Sequence, residues 1–588
     1  MPTRYTAPLP VPHKDRVPVK VAKALVGAVK HAPRTPDEAR TRFDRYVDRT
    51  LIVPDSRRDA LVRHWGGAVS RLSRIPGGAR GTISTTWNLS SRMLKHGHPD
   101  SARSLLETVA RAFPEADSSA GVRARVHVVD LNAGREVGDV GPLIAQSLRL
   151  ADEAWEQGNI DDAAARLQDA FDVALHRVHH FEDRPSPYAE DPDAFLAPFR
   201  ASAAFRAAAT PSGNRRPAPP AHGSERPHRL LFATATNFNF ARGIIEEYSE
   251  REDVEVRQVD IRSLEDGPWR PNPADLTRNR LRQAAGTPMD LPPSVREDLD
   301  WADTIFVEWG HRAMVWMSMV PELRARVVVR LHSYEALTQF PLITDWSGVD
   351  DVVFVAGHIR NLVERSVPAI MSGPRRHTIG NRRTLRDYAL PKRPGAERTL
   401  GLIGWGQVVK DPAWALDVLE DLRRDDPTWH LRLVGNPFPE DDKLTRAAAE
   451  YNARHESRLE RLGDAVLRPG FTRDIPHALR RIGVILSTSQ REGTHEALIQ
   501  GAASGALPVV RNWPTVARWG GAQTMFPDEW IVETPQQAAD RIRAAVAAGD
   551  LQAEGAKARE WVLTHHDWSV VGPELERLLL DPTKGHTA

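Results

Sequence analysis

The sequence of 588 residues contains no cysteine. Disulfides, thiolate metal sites and cysteine nucleophiles are excluded together. Net charge is nearly absent as well: 79 Lys and Arg stand against 78 Asp and Glu, leaving +1. No overall field therefore draws the chain to nucleic acid, and no nucleic-acid partner is expected. No apolar run reaches the roughly 18 residues of a membrane-spanning helix. The N-terminus carries Pro2, Pro8, Pro10 and Pro12 but no apolar core of a signal peptide. A cytoplasmic protein is expected.

What is present is unevenly distributed. Between Arg4 and Arg34 lie Lys14, Arg16, Lys20, Lys23 and Lys30 against Asp15 alone. Residues 1–34 therefore read as a basic arm. Val19 to Val26 has the spacing of a short basic amphipathic helix, which suits peripheral contact with an anionic membrane face. A plain solvated arm is the other reading. Residues 35–207 read as all-helical, with apolar residues recurring at three and four. Inside this stretch Gly97 precedes Ala102 by five residues, and Gly158 precedes Ala163 by five. Pro114 lies seventeen after Gly97, and Ala170 twelve after Gly158. The pattern resembles tetratricopeptide units, with a glycine turn between helices and alanine where they cross. A plain helical bundle stays open beside it. Either way the segment is expected to serve a protein partner or act as a lid. Residues 208–228 contain five prolines and little to bury. They read as a linker.

After the linker the texture changes. Leu230–Ala233, Val254–Val256, Thr304–Val307, Val327–Leu331 and Val352–Val355 are short apolar runs, most of them separated by helical stretches. The pattern breaks near Pro391 and restarts with Leu400–Ile403, Leu431–Val434, Val466–Leu467, Ile482–Leu486, Leu507–Val510 and Trp530–Val532. Such alternation predicts parallel sheets covered on both faces. Two consecutive α/β domains are expected, residues 229–392 and 393–588, facing a cleft. The last helix, Pro573–Leu580, is placed to pack back across the pair.

Two loops of the second domain carry the chemistry. Strand 400–403 runs into Gly404-Trp405-Gly406, then Lys410, then a helix from Pro412. Glycines permit close backbone approach, a helix start offers free N–H groups, and Lys410 adds a positive charge. Together these suit a diphosphate, although the spacing is not that of a P-loop. Strand 482–486 is followed by Ser487-Thr488-Ser489, Glu492-Gly493, Gln500, Gly505 and Pro508-Val509-Val510. A carboxylate on such a turn presents itself to a ligand at the carboxyl end of the sheet. Its plainer reading is a helix cap.

This order resembles the donor-binding half of the GT-B glycosyltransferases of the retaining family 4. There the helix reads Glu-Gly-Phe-Gly, with a second Glu eight residues after the first, then Ala-x-Ala-x-Gly and Pro-Val. This chain supplies Glu492-Gly493, Ala503, Gly505 and Pro508-Val509, with Gln500 at the second acid. The family's earlier Gly-Arg and Lys correspond to Gly404 and Lys410, but Trp405 occupies the arginine slot. Phe471-Thr472-Arg473-Asp474 resembles the family's preceding loop, and Gly380-Asn381 its turn near the hinge. The resemblance covers roughly 229–580.

The resemblance implies a GT-B fold, two Rossmann-like domains facing a cleft, here preceded by an all-α N-terminal domain. It implies a glycosyltransferase moving a sugar from a nucleotide-sugar to an acceptor hydroxyl, with retention and without metal. The nucleotide-sugar is a co-substrate, and no further cofactor is expected. Glu492 would orient the donor sugar, Lys410 would hold the leaving diphosphate, and Gly404, Trp405, Gly493 and Gln500 would complete the donor site. Arg491 or Arg511 would have to supply the arginine's charge. His332, at a strand end, corresponds to the family's histidine near the donor sugar. Asn239 and Glu308 are acceptor-side candidates: the first lies in an aromatic, polar loop where the family is Gly-rich, the second precedes Trp309. The acceptor class is a saccharide or lipid-linked sugar, as in cell-envelope polysaccharide or glycolipid synthesis. A second reading stays open, a non-catalytic GT-B-like protein that binds a sugar or a partner, or a scaffold.

Overall fold

The structure, a computed structural model, describes residues 78–580 except 96, 114–115, 136, 181–184, 213–225, 264–270, 288, 292 and 441–443, together with 62, 65 and 69. The basic arm, the first part of the helical segment, Pro114 and linker residues 213–225 lie outside the described residues. By its contacts the chain forms two compact units, residues 1–118 and 119–588. In the first, helices Gly78–Lys95 and Pro99–Ala112 flank Gly97, whose φ of 78° makes the turn. Ala102, Leu105, Leu106 and Val109 recur at three and four and are buried along one face.

The second unit contains another hairpin, Gly141–Glu156 and Ile160–Ala174, about Gly158. Helices Pro192–Ala201 and Ala203–Ala209 follow. These helices share one core with the first α/β domain: Phe171, Phe199 and Phe205 belong to the same apolar cluster as Trp316 and Val327. A buried polar clasp fixes the docking. Thr277 donates to Gln168 Oε1 at 2.8 Å, and Gln168 Nε2 donates to Gln339 at 2.9 Å. The buried Arg280 guanidinium donates to the carbonyls of Ala208 (3.0 Å) and Thr210 (2.7 Å), anchoring the chain where the helices end.

Two six-stranded parallel sheets follow. The first contains β1 (His228–Thr234), β2 (Val254–Asp260), β3 (Thr304–Glu308), β4 (Arg326–Leu331), β5 (Asp351–Phe354) and β6 (Arg375–Thr378), in the order 2-1-3-4-5-6. The second contains β7 (Thr399–Ile403), β8 (His430–Val434), β9 (Val466–Gly470), β10 (Val484–Ser487), β11 (Leu507–Arg511) and β12 (Ile531–Val532), in the order 12-11-10-7-8-9. Eleven of these strands coincide with the apolar runs of the sequence. The exception is β6, Arg-Arg-His-Thr, an edge strand that pairs only with β5. Its Arg375 and His377 bond the buried Asp351 at 2.9 and 2.8 Å, so a carboxylate anchors it in place of an apolar side chain.

The C-terminal helix, Trp568–Leu580, returns from the second domain to the first. Val571, Leu575, Leu578 and Leu579 pack against Leu230, Phe232 and Phe306. Burying these four side chains contributes on the order of 8 kcal/mol. Two Rossmann-like domains bridged by this helix, with helices before them, make a GT-B architecture. Among the described residues, no helix is long and apolar enough to cross a membrane.

Candidate functional site

Ligands of open parallel sheets bind beyond the carboxyl ends of the strands, where the strand order reverses. In the second sheet that point lies between β7 and β10. The loops leaving these two strands hold Lys410 and Glu492. Their side chains meet at 2.6 Å, Nζ to Oε1. Ser489 Oγ also donates to Glu492 Oε1, at 2.5 Å. Burial pushes the Glu492 pKa up, but Lys410, His495 and these hydrogen bonds outweigh it and hold the carboxyl at about 2. Glu492 is therefore ionised at neutral pH.

Backbone geometry marks the same place. Among the described residues only four other than glycine have positive φ, and two of them flank the ion pair: Asp411 (43°) and His495 (45°). A third, Trp309 (66°), follows β3 in the first sheet. Such conformations cost energy and cluster at functional sites. Asp411 is held by Tyr451 (2.8 Å), Gln490 (2.8 Å) and Arg511 (2.6 Å). His495 opens the helix Glu496–Ala503, which lies tight on β10: a methyl group on Gly501 would come within 2.4 Å of Ile485.

Beside Lys410 is a cavity of about 300 Å³, lined by Gly404, Gly406, Gln407, Gly435, Asn436, Pro437, Phe471 and Thr472 among others. Gly404, with φ of 77°, has open space where a side chain would stand. Phe471 is 64% exposed at this cavity, far more than a packing role requires. Trp405 does not line it. Its ring is 1% exposed and turned into the domain core against Phe438 and His455. The expectation that the Trp405 side chain contacts a nucleotide is thereby corrected: an indole is apolar enough to be buried where a guanidinium would not be. Gln500 is half-buried on its helix and outside the cavity lining.

The first sheet reverses between β1 and β3. The loop after β1 supplies Phe240, and the residue after β3 is Trp309. His332, just after β4, stacks on Phe240 and is tilted against Trp309, with ring centroids 4.7 Å from Phe240 and 4.4 Å from Trp309. Glu308 was read as facing an acceptor, and this is corrected. It is fully buried and bonded to Arg330 and to His332 Nε2, the latter at 2.7 Å. Burial raises its pKa, yet Arg330 and His332 bring it below the usual range. An ionised carboxylate only accepts, so His332 carries its proton on Nε2. Glu308 thus sets the tautomer of His332 and has no surface open to solvent. Asn239 is exposed, its backbone N–H bonded to Asn237 Oδ1 at 2.9 Å.

The two walls approach each other. Arg491 donates to Ser333 Oγ at 3.5 Å, and His358 Nε2 lies 3.0 Å from the Glu492 carbonyl. Arg491 is half-buried, and desolvation brings its pKa down to about 10 despite the neighbouring Glu492. Arg511 is committed to Asp411 and the Thr488 carbonyl. Sequence reasoning missed Glu496, which clamps the interdomain segment. Arg383 donates to it at 2.6 and 2.7 Å, Asn381 at 3.0 Å and Thr494 at 2.6 Å. An acidic residue in the first helical turn was the available signal, but its partners lie over a hundred residues away. Among the described residues no cluster of three or more His, Asp or Glu is arranged to hold a metal ion.

No family model matches the chain, and no curated protein matches it in sequence. Among solved structures it is similar to TarM of S. aureus, at 17% identity over 46% of this chain, with a TM-score of 0.36. The match spans 54% of TarM, about half its length. It is similar to HepE of Anabaena in complex with UDP, at 14% identity over 60% of this chain and 99% of HepE, with a TM-score of 0.44. An O-GlcNAc transferase of Thermobaculum terrenum matches at 15% identity over 85% of this chain and 97% of its own, with a TM-score of 0.40.

Proposed function

We propose that the chain is a glycosyltransferase that moves a sugar from a nucleotide-sugar to an acceptor hydroxyl. The observation that carries this reading is the contact of Lys410 with the Glu492 carboxylate at the reversal point of the second sheet, beside a cavity lined by Phe471. Departure of a nucleoside diphosphate develops negative charge, and a cation already aimed there lowers the barrier. Lys410 has that role. Its ammonium leaves Glu492 for the diphosphate, and the freed carboxylate takes a sugar hydroxyl. The cavity takes the nucleoside. His332, one residue from the Ser333 that faces Arg491, belongs to the opposite wall, where Asn239 is the exposed acceptor-side candidate. Retention, transfer without metal, a hexosyl donor and a saccharide or lipid-linked acceptor of the cell envelope are the finer parts of the proposal. They rest on the resemblance to family 4. The helical hairpins are assigned to a protein partner and the basic arm to peripheral membrane contact.

A second reading, a sugar-binding protein without turnover, draws on the inward Trp405 and the neutral Gln500. The two separate in one experiment. Thermal unfolding of the full chain is followed with UDP, UDP-glucose, UDP-N-acetylglucosamine and GDP-mannose, and sugar release is measured by nucleoside diphosphate formation. A ligand at a hundredfold its Kd stabilises the folded state by about 2.7 kcal/mol. Stabilisation with turnover supports the enzyme, and stabilisation alone the binding protein. Turnover untouched by Lys410→Ala and Glu492→Ala would defeat the assignment of this site.

A further inference from the structure

His495 is the residue of this site that its neighbours leave incomplete. Its side chain is 3% exposed. Nδ1 lies 2.6 Å from Ser487 Oγ, while Nε2 is buried without a hydrogen-bond partner, 3.8 Å from Glu492 Oε1. The tautomer follows from the next residue in the network. Trp513 Nε1 lies 3.0 Å from Ser487 Oγ. An indole N–H only donates, so Ser487 Oγ accepts from it. Among the described residues the serine hydroxyl has no other acceptor for its own proton than His495 Nδ1, and giving it there puts the imidazole proton on Nε2. Burial outweighs the nearby Glu492 carboxylate and, with Lys410, brings the ring's pKa down to about 4, so it is neutral at pH 7. A buried N–H thus points beside the carboxylate and bonds nothing.

The cause is the group now occupying Glu492. Lys410 is an ammonium, three donors and no acceptor, so it satisfies the carboxylate and offers nothing to His495. A hydroxyl in its place would do both. Donating to Oε1 at about 2.7 Å and accepting from Nε2 at about 2.8 Å, it closes a triangle on the 3.8 Å gap with ordinary hydrogen-bond lengths. The αL backbone of His495, φ 45°, holds the ring at this position.

We propose that His495 and Glu492 together read one hydroxyl of the donor sugar, Glu492 accepting its proton and His495 donating to its oxygen. The inference rests on the nucleotide-sugar reading above. It adds His495 as a specificity-determining residue: the pair selects a group that both donates and accepts, and rejects one that does only one of these.

The test uses the full chain and isothermal titration with UDP, GDP, UDP-glucose, UDP-galactose, UDP-N-acetylglucosamine and GDP-mannose. Two substitutions tolerate positive φ, His495→Asn and His495→Gly. For the tightest-binding sugar nucleotide, each weakens affinity about tenfold, the size expected for a buried hydrogen bond lost. Affinity for the matching diphosphate changes less than about twofold on the same scale. Donors in which single sugar hydroxyls are replaced by fluorine give the second readout. One position weakens wild-type binding and leaves the His495→Gly variant indifferent. Ser487→Ala, which releases the tautomer, gives a smaller loss of the same sign and serves if the His495 variants do not fold. Equal losses for sugar nucleotide and diphosphate, or no position whose fluorine effect depends on His495, overturn the inference. Binding of none of the six by the wild type removes the nucleotide-sugar reading itself, a different failure.

Discussion

The two sheets bring unlike equipment to the same kind of place. In the first, the strand-order reversal is filled by Phe240, Trp309 and His332, His332 stacked on Phe240 and tilted against Trp309, beside a sealed Glu308–Arg330 pair. In the second, the reversal holds glycines, a cavity and an ion pair that stays within reach of solvent, Lys410 being 22% exposed. One edge uses its charges to hold an aromatic surface in shape. The other keeps its charges where a ligand can exchange with them. The same topology therefore leaves an aromatic wall at one reversal and a partly exposed charge pair beside a cavity at the other.

The contrast is broken most severely by carrying the second sheet's charge into its core. Trp405→Arg, which places there the residue that family 4 has, is expected to destabilise the second domain by about 4 kcal/mol or more, because the side chain enters an apolar, fully buried site. A urea-unfolding midpoint measures it. A variant as stable as the parent that binds UDP more tightly would show that the indole can swing out of the core. In the first sheet, Glu308→Gln leaves Arg330 buried without its counter-charge and is expected to cost about 3 kcal/mol. It also frees the His332 tautomer, so turnover falls further than folding alone accounts for.

Lys410→Ala is expected to lower turnover about a hundredfold, the size of one preorganised electrostatic contact. Stability is expected to fall as well, by about 3 kcal/mol, because the buried Glu492 loses the cation that does most to keep it ionised, so turnover is compared per folded molecule. The same carboxylate gives a pH signature. Its folded pKa of about 2 lies below the ordinary 4.5, so its contribution is complete above pH 4.5 and is lost as pH falls towards 2. The loss amounts to about 3 kcal/mol. Glu492→Gln should flatten the dependence of the urea midpoint between pH 5 and 3, and an unchanged slope would remove the electrostatic account. The smallest effect is expected at Phe471→Ala: no measurable loss of stability from so exposed a ring, and about a tenfold loss of UDP affinity if it stacks on the base. Titration with UDP decides it.

Much of this was legible beforehand. Strand runs such as Val327–Leu331 and the glycine turns at Gly97 and Gly158 are local signals, set by burial on both faces or by a required positive φ. Gly404, Lys410 and Glu492 stood out as candidates because the residue types and their spacing are those of a ligand-facing turn, and folding brings Lys410 onto Glu492. Strand β6 was not, since an edge strand anchored by Asp351 needs no apolar pattern. The burial of Glu308 was not, since its partners Arg330 and His332 sit on another strand. Glu496 was not, because what it bonds is the interdomain segment around Asn381 and Arg383.

The sequence by itself determined the two α/β domains, the break between them and the loops that carry the site, because periodicity and turn chemistry act over a few residues. Tertiary structure alone decided which charges are spent and which are available. It buried Trp405, sealed Glu308 and Arg511 against their partners, and set Lys410 on Glu492 with His495 beside them. A side chain's charge is written in the chain, but its solvation and its counter-charge depend on residues that only folding brings within a few ångströms.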